Sequence, residues 1–160
     1  MAEALVLRPM TEADLEAVLA IERRAYSHPW TPGIFRDCLR GPYHCLALER
    51  EGWLVGYSVH SVAADEAHLL NLCVEPACRR RGYGRFLLRR VVERVRAQGA
   101  DTLFLEVRLS NAPARALYES EGFNEVGRRF DYYPAHTGRE DAVIYARVLG
   151  PQTVEAVADE

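Results

Sequence analysis

The residues with the clearest chemical use fall in two places along the chain. Arg79-Arg80-Arg81-Gly82-Tyr83-Gly84 lies between an apolar run, Leu69 to Val74, and a stretch in which Phe86, Leu87, Val91 and Val95 recur at helical spacing. A glycine-containing turn between a strand and a helix can point several backbone N–H groups at one place, and the helix N-terminus adds partial positive charge. Gly82 and Gly84 let the backbone approach a phosphate without steric cost. Arg79 to Arg81 and Arg85 stand where a polyphosphate would need them. Two glycines before a helix often mark only a tight turn, so the second place carries the specificity. There Glu106 ends a predicted strand, Leu105-Glu106-Val107-Arg108, and Asn111 and Tyr118 follow, nearly two helical turns apart on one predicted face. A carboxylate that can take a proton and a phenol that can give one are expected near the anion held by the glycine turn.

These groups need a frame. Ala4 to Pro9 reads as a strand, and Thr11 caps a helix in which Asp14 replaces the usual Glu of a capping box. Leu15, Val18, Leu19 and Ala25 form its apolar stripe, Pro29 breaks it, and Thr31-Pro32 starts a second helix. His44 to Glu49, Trp53 to Val62 and Ala67 to Val74 read as successive strands joined at Glu51-Gly52 and Ala64-Asp65-Glu66. A helix from about Gly82 to Gln98 stops at Gly99, and a strand from Thr102 to Val107 precedes a helix capped by Asn111 and ended by Gly122. Strands at Phe123 to Arg129 and Ala142 to Val148 flank a predicted loop, Asp131 to Glu140. This is an α/β order, and the ligand is expected where neighbouring parallel strands separate.

Composition narrows the function classes. Apolar residues at 49% and charged residues at 27% describe one soluble globular domain, read here as residues 1–150, with an acidic tail at 151–160. No apolar stretch is long enough for a bilayer, and the N-terminus lacks a signal-peptide pattern, so a cytoplasmic protein with no membrane partner is expected. A net charge of −3 argues against a general nucleic-acid binder, although Arg79 to Arg96 contains eight arginines and one acid, Glu93. The chain has no lysine. Cys38, Cys45, Cys73 and Cys78 show no C-x2-C spacing and read as reduced thiols, and the five histidines form no ligand motif, so no metal is assigned.

These residues resemble the GNAT superfamily of acetyl-CoA-dependent N-acetyltransferases. Arg79-x-x-Gly82-x-Gly84 matches its pyrophosphate loop. Leu105 to Arg108, Ser110-Asn111, Ala116 to Glu119, Gly122 to Glu125, Tyr132-Tyr133-Pro134 and Gly138 to Ala142, with Ile21-Glu22-x-x-Ala25 and Pro29-Trp30, resemble its RimI-type ribosomal-protein-alanine branch over about residues 5 to 148. The resemblance implies the GNAT fold, a mixed, mostly antiparallel central sheet with helices on both faces. It implies that the backbone of Leu72, Cys73 and Val74 holds the pantetheine arm of acetyl-CoA. Arg80, Arg81, Gly82, Tyr83, Gly84 and Arg85 would cradle the pyrophosphate, and Asn111 and Tyr118 would also contact the cofactor. Glu106 is implied as general base and Tyr118 as general acid, with Tyr26, Trp30, Tyr132 and Tyr133 flanking an acceptor peptide. The implied acceptor is a protein N-terminus, the alanine of a small-subunit ribosomal protein.

Acid–base chemistry is consistent with that acceptor. Only a neutral amine has a lone pair to attack with. An α-amine titrates near about 7.7–8.0 and a lysine side chain near about 10.4, so at neutral pH the former is neutral roughly several hundred times more often. A glutamate is a poor base for lysine but can relay a proton from an α-amine through water, while a phenol stays protonated and can donate to a leaving thiolate. Transfer is expected to be direct, since Cys73 has no evident histidine partner to make it a nucleophile. Lysine side chains, a small-molecule amine, and a non-catalytic acyl-CoA-binding role are the alternatives; the last needs the loop but neither Glu106 nor Tyr118.

Overall fold

Period-two and period-3.6 patterns alternate along the chain, and the elements follow them. The computed structural model describes residues 4–150. It contains β1 (Leu5–Pro9), α1 (Leu15–Ala25), α2 (Pro32–Arg40), β2 (His44–Arg50), β3 (Trp53–Ala63), β4 (Glu66–Val74), α3 (Tyr83–Ala97), β5 (Thr102–Arg108), α4 (Ala112–Ser120), β6 (Asn124–Pro134) and β7 (Arg139–Val148). The strands form one seven-stranded sheet in the order β1-β2-β3-β4-β5-β7-β6. β1 with β2, β2 with β3, β5 with β7 and β6 with β7 run antiparallel; β4 and β5 are parallel, Glu66–Leu69 pairing with Thr102–Leu105. The segment 151–160, read from sequence as a tail, lies outside the described residues.

The expected caps are present. Asp14 accepts from the Thr11 N–H at 2.7 Å, and the Thr31 hydroxyl accepts from the Ile34 N–H at 3.2 Å. Gly99 takes φ +97°, and Asn111 Oδ1 accepts from the Ala114 N–H at 3.3 Å. One expectation fails. The segment after Arg129 is not a loop, because β6 continues to Pro134 and β7 begins at Arg139, with Tyr133 opposite Glu140. A bulge between Arg129 and Tyr133, with Asp131 at φ +53°, breaks the alternation that would have revealed the strand.

Two compact units partition the chain: residues up to Ser61 with Leu70–Arg90, and Val62–Leu69 with residues from Val91 on. In the first, α1 and α2 pack Leu15, Val18, Ile21 and Phe35 on Ala47, Tyr57, Val59 and Cys73. On the other sheet face the start of α3 sets Tyr83 and Leu87 against Leu48 and Val55. Val55 and Tyr57 face opposite ways despite their spacing, because the β2–β3 register passes from Leu48↔Gly56 to Glu49↔Leu54 and leaves Val55 as an extra residue. Gly56 is required there, since a Cβ would lie 2.9 Å from the Cys73 carbonyl oxygen. In the second unit β5 alternates strictly, burying Leu103, Leu105 and Val107.

Arg8 links β1 to the start of α1. Its guanidinium donates to Asp14 at 2.7 and 2.8 Å and to Glu49 at 2.7 Å. That hydrogen bond, more than any other influence, lowers the Asp14 carboxyl to about 2. A carboxyl depressed on folding stabilises the native state above its unfolded pKa, near about 3.9, and the contribution disappears as pH falls through the folded value. Asp14→Asn should therefore flatten the loss of stability between about pH 4 and 2 by about 1–2 kcal/mol, as read from urea unfolding of both proteins.

Candidate active site

In the first unit the chain passes from β4 to α3 through a short 3-10 turn, Pro76–Cys78. Glu75 caps that turn by accepting from the Ala77 N–H at 3.1 Å, pairs with Arg24 of α1, and donates its own N–H to the Val55 carbonyl at 2.8 Å. Beyond it φ is −68° at Arg79, +68° at Arg80 and +82° at Gly82. Arg79 is extended, with ψ 160°, so the chain reverses at Arg80 and again at Gly82 just before the helix begins. Glycine adopts positive φ freely, whereas Arg80 does so at a cost of about 1–2 kcal/mol. The Gly82 carbonyl accepts the first helical bond, from the Phe86 N–H at 3.0 Å, so the first-turn amides begin at Tyr83. Arg80 and Arg81 are exposed and Arg85 is half-buried. Tyr83 is 2% exposed and belongs to the core with Leu48, Val55 and Leu87.

At the end of β4, Leu72 and Val74 are half-buried and Cys73 is buried. Burial pushes the Cys73 thiol up to about 11, so it is protonated at neutral pH and a poor nucleophile. The Tyr26 hydroxyl donates to the Leu72 carbonyl at 3.2 Å, and the Trp30 ring lies 5.2 Å from that of Phe35. Glu22, quoted above only as part of a motif, is buried beside them. Its carboxylate accepts from the Tyr57 hydroxyl at 2.7 Å, the Asn71 amide at 3.1 Å and the Trp30 N–H at 2.9 Å.

The second unit holds the carboxylate and the phenol. Glu106 shares a face of β5 with Phe104 and Arg108, and it pairs with Arg129 of β6, whose guanidinium also lies 5.4 Å from the Tyr132 ring centre. Arg129 was not singled out from sequence, because it is distant along the chain from Glu106 and belongs to no quoted block. Tyr118 is 7% exposed on α4, its ring edge-on to Phe123 at 5.8 Å and 6.2 Å from Tyr145. Asn111 spends its side-chain oxygen on the helix cap. Tyr132 and Tyr133 pack edge-to-face at 5.0 Å, and burial raises the Tyr133 hydroxyl to about 12.

The Gly138-Arg139-Glu140-Asp141-Ala142 block acts as a polar clamp on these tyrosines. Arg139 donates to the carbonyls of Asp131 at 2.7 Å and Tyr132 at 2.6 Å. Asp141 accepts from the Asp131 N–H at 3.0 Å. Glu140 accepts from Arg108 at 2.9 Å and from the Ser110 N–H at 3.1 Å, while Arg108 also donates to the Pro134 carbonyl at 2.7 Å and lies 4.6 Å from the Tyr133 ring centre. Among the described residues no group of three or more His, Cys, Asp or Glu is arranged to hold a metal ion, and no helix is long and apolar enough to cross a membrane.

Comparison with known proteins bears on the family and the fold. Residues 15–123 match the model of the acetyltransferase (GNAT) family. The [ribosomal protein bS18]-alanine N-acetyltransferase of Escherichia coli is 44% identical over 133 residues, 83% of this chain and 90% of that protein. The Haemophilus influenzae enzyme of the same name is 36% identical over 90% of this chain and 99% of its own. The crystal structure of the Escherichia coli ribosomal-protein-S18-alanine N-acetyltransferase superposes with a TM-score of 0.86 at 39% identity, covering 92% of this chain and 95% of that one. With a seven-stranded, mostly antiparallel sheet and four helices, and with these matches over most of its length, the chain belongs to the GNAT acetyltransferase family, where ribosomal-protein-alanine N-acetyltransferases are among its relatives.

Proposed function

We propose that this protein transfers acetyl from acetyl-CoA to the N-terminal α-amine of a protein, the acceptor being the N-terminal alanine of a small-subunit ribosomal protein. The 44% identity across 83% of the chain to an enzyme named for that reaction carries the proposal. The family match draws on residues of both compact units, and residues 1–150 are read as one acetyltransferase domain. A cytoplasmic setting follows from the ribosomal acceptor.

The residues present fit acetyl-CoA. Positive φ at Arg80 and Gly82 and the first-turn amides of α3 suit a pyrophosphate, with Arg80, Arg81 and Arg85 supplying charge around Gly82, Tyr83 and Gly84. The backbone of Leu72, Cys73 and Val74 is assigned the pantetheine arm, with Asn111 as a further contact. Bound acetyl-CoA supplies a thioester carbonyl for an amine to attack. Glu106, oriented by Arg129, accepts the amine proton directly or through one water as the N–C bond forms. Tyr118 gives its hydroxyl proton to the sulfur as the C–S bond breaks. Tyr26, Trp30, Tyr132 and Tyr133 flank the acceptor peptide.

Label from acetyl-CoA, supplied at pH 7.5 to two matched peptides, tests the acceptor class. A peptide with a free N-terminal alanine and no lysine should be acetylated, and one with a blocked N-terminus and an internal lysine should not. Label mainly on the second moves the protein to lysine acetylation. Label on neither, with acetyl-CoA bound, leaves a small amine or a non-catalytic role.

Two substitutions test the roles. Glu106→Gln and Tyr118→Phe should each lower kcat by about 10²-fold or more with acetyl-CoA affinity retained, the scale of a lost general base or acid. An unchanged rate in Glu106→Gln would remove that residue from the mechanism. Cys73→Ala should keep turnover within about threefold, because a buried, protonated thiol forms no acyl-enzyme. A loss of several orders of magnitude would restore a covalent route.

A further inference from the structure

Glu22 takes no part in the steps above, yet it is a carboxylate at 1% exposure on α1. Burying a charge is costly, and a well-packed apolar residue of similar volume often serves a core as well or better. What Glu22 does that an apolar residue could not is hold donors. Its Oε1 accepts from the Tyr57 hydroxyl of β3 and the Asn71 amide of β4, and its Oε2 accepts from the Trp30 N–H.

Trp30 lies in the irregular connection 26–31, where no helix or strand ladder satisfies its amide and the preceding Pro29 has no N–H to give. Asn71 immediately precedes Leu72–Val74, and the Tyr26 hydroxyl makes a second tie from the same connection to the Leu72 carbonyl. One carboxylate therefore references two segments to each other. We infer that Glu22 is a positioning residue whose carboxylate fixes the connection bearing Tyr26 and Trp30 against the strand segment 71–74. The inference rests on reading that connection as acceptor-binding, so the ordering it requires is measured apart from activity.

Glu22→Gln removes the charge and keeps the shape, weakening the bond to Trp30. Tyr57→Phe removes another donor to the same carboxylate and leaves the Trp30 bond in place. In Glu22→Gln, amide hydrogen exchange across 26–31 should quicken about tenfold and KM for the alanine peptide should rise about tenfold, with kcat and acetyl-CoA affinity within about twofold. Tyr57→Phe should lower the melting temperature while exchange across 26–31 and peptide KM stay within about twofold, since the charged bond to Trp30 persists. A fall in melting temperature in Glu22→Gln with exchange and KM unchanged would reduce Glu22 to core structure and overturn the inference. Faster exchange with KM unchanged upholds the ordering role and overturns the acceptor reading of the connection. Should Glu22→Gln fail to fold, Glu22→Asp, one methylene short of the Trp30 amide, is read in the same way.

Discussion

Parallel strands cannot be joined by a tight turn, and that constraint organises the β4–α3 connection. β4 and β5 pair in parallel, so the chain must leave the end of β4, traverse a helix and return. The helix therefore begins just after the strand ends, and its amides carry the positive end of the dipole there. Everything between Val74 and Tyr83 serves to make that exit in few residues. Glu75 ends the strand by bonding Val55 and caps a 3-10 turn, and the chain then reverses φ at Arg80 and Gly82. Arg80 is one of four exposed non-glycine residues at positive φ, with Glu51, Ala64 and Asp131, each where the chain turns or bulges.

The segments flanking the turn and the tyrosines are held by buried or half-buried acids accepting from several elements. Glu22 takes three donors, Glu140 takes an arginine and a backbone amide, and Asp141 takes a backbone amide at the β6 bulge. Backbone that leaves the regular ladders must find partners elsewhere, and charged acceptors make strong ones. Motifs that look like signatures of a reaction are here, in large part, signatures of irregular backbone. Gly138 to Ala142 was among the blocks that carried the resemblance, and its charged members bind carbonyls and amides around Asp131, Tyr132 and Ser110.

Local chemistry made much of the fold legible. Thr11 with Asp14, Thr31 with Pro32, Asn111 and the glycine stops each act within a few residues, so spacing alone locates them. Long-range and period-breaking features escaped. The extra residue at Val55 flips the inward face of β3, and the bulge before Tyr133 made a strand read as a loop. Tyr83 stands inside the glycine motif, and only tertiary packing reveals that its ring belongs to the core. The Glu106–Arg129 pair joins residues that no local window contains together. An acid on an apolar strand signalled that a partner or a role existed, and the structure supplies the partner.

Those features bear on how acceleration is achieved. The proposed acceptor, an α-amine, already offers a usable fraction of its neutral form near neutral pH, so the proposed reaction needs no strong base. What the uncatalysed encounter lacks is orientation, and holding two reactants in near-attack geometry is worth several orders of magnitude. The structure invests accordingly. Glu106 is held by Arg129, Tyr118 is wedged between Phe123 and Tyr145, and Trp30 is anchored through its amide rather than its ring alone. Cys73, within the strand assigned to the pantetheine arm, is buried and its thiol is pushed up to about 11 by that burial. Under the proposed reaction, direct transfer asks the side chains to hold geometry and pass single protons rather than to form bonds of their own.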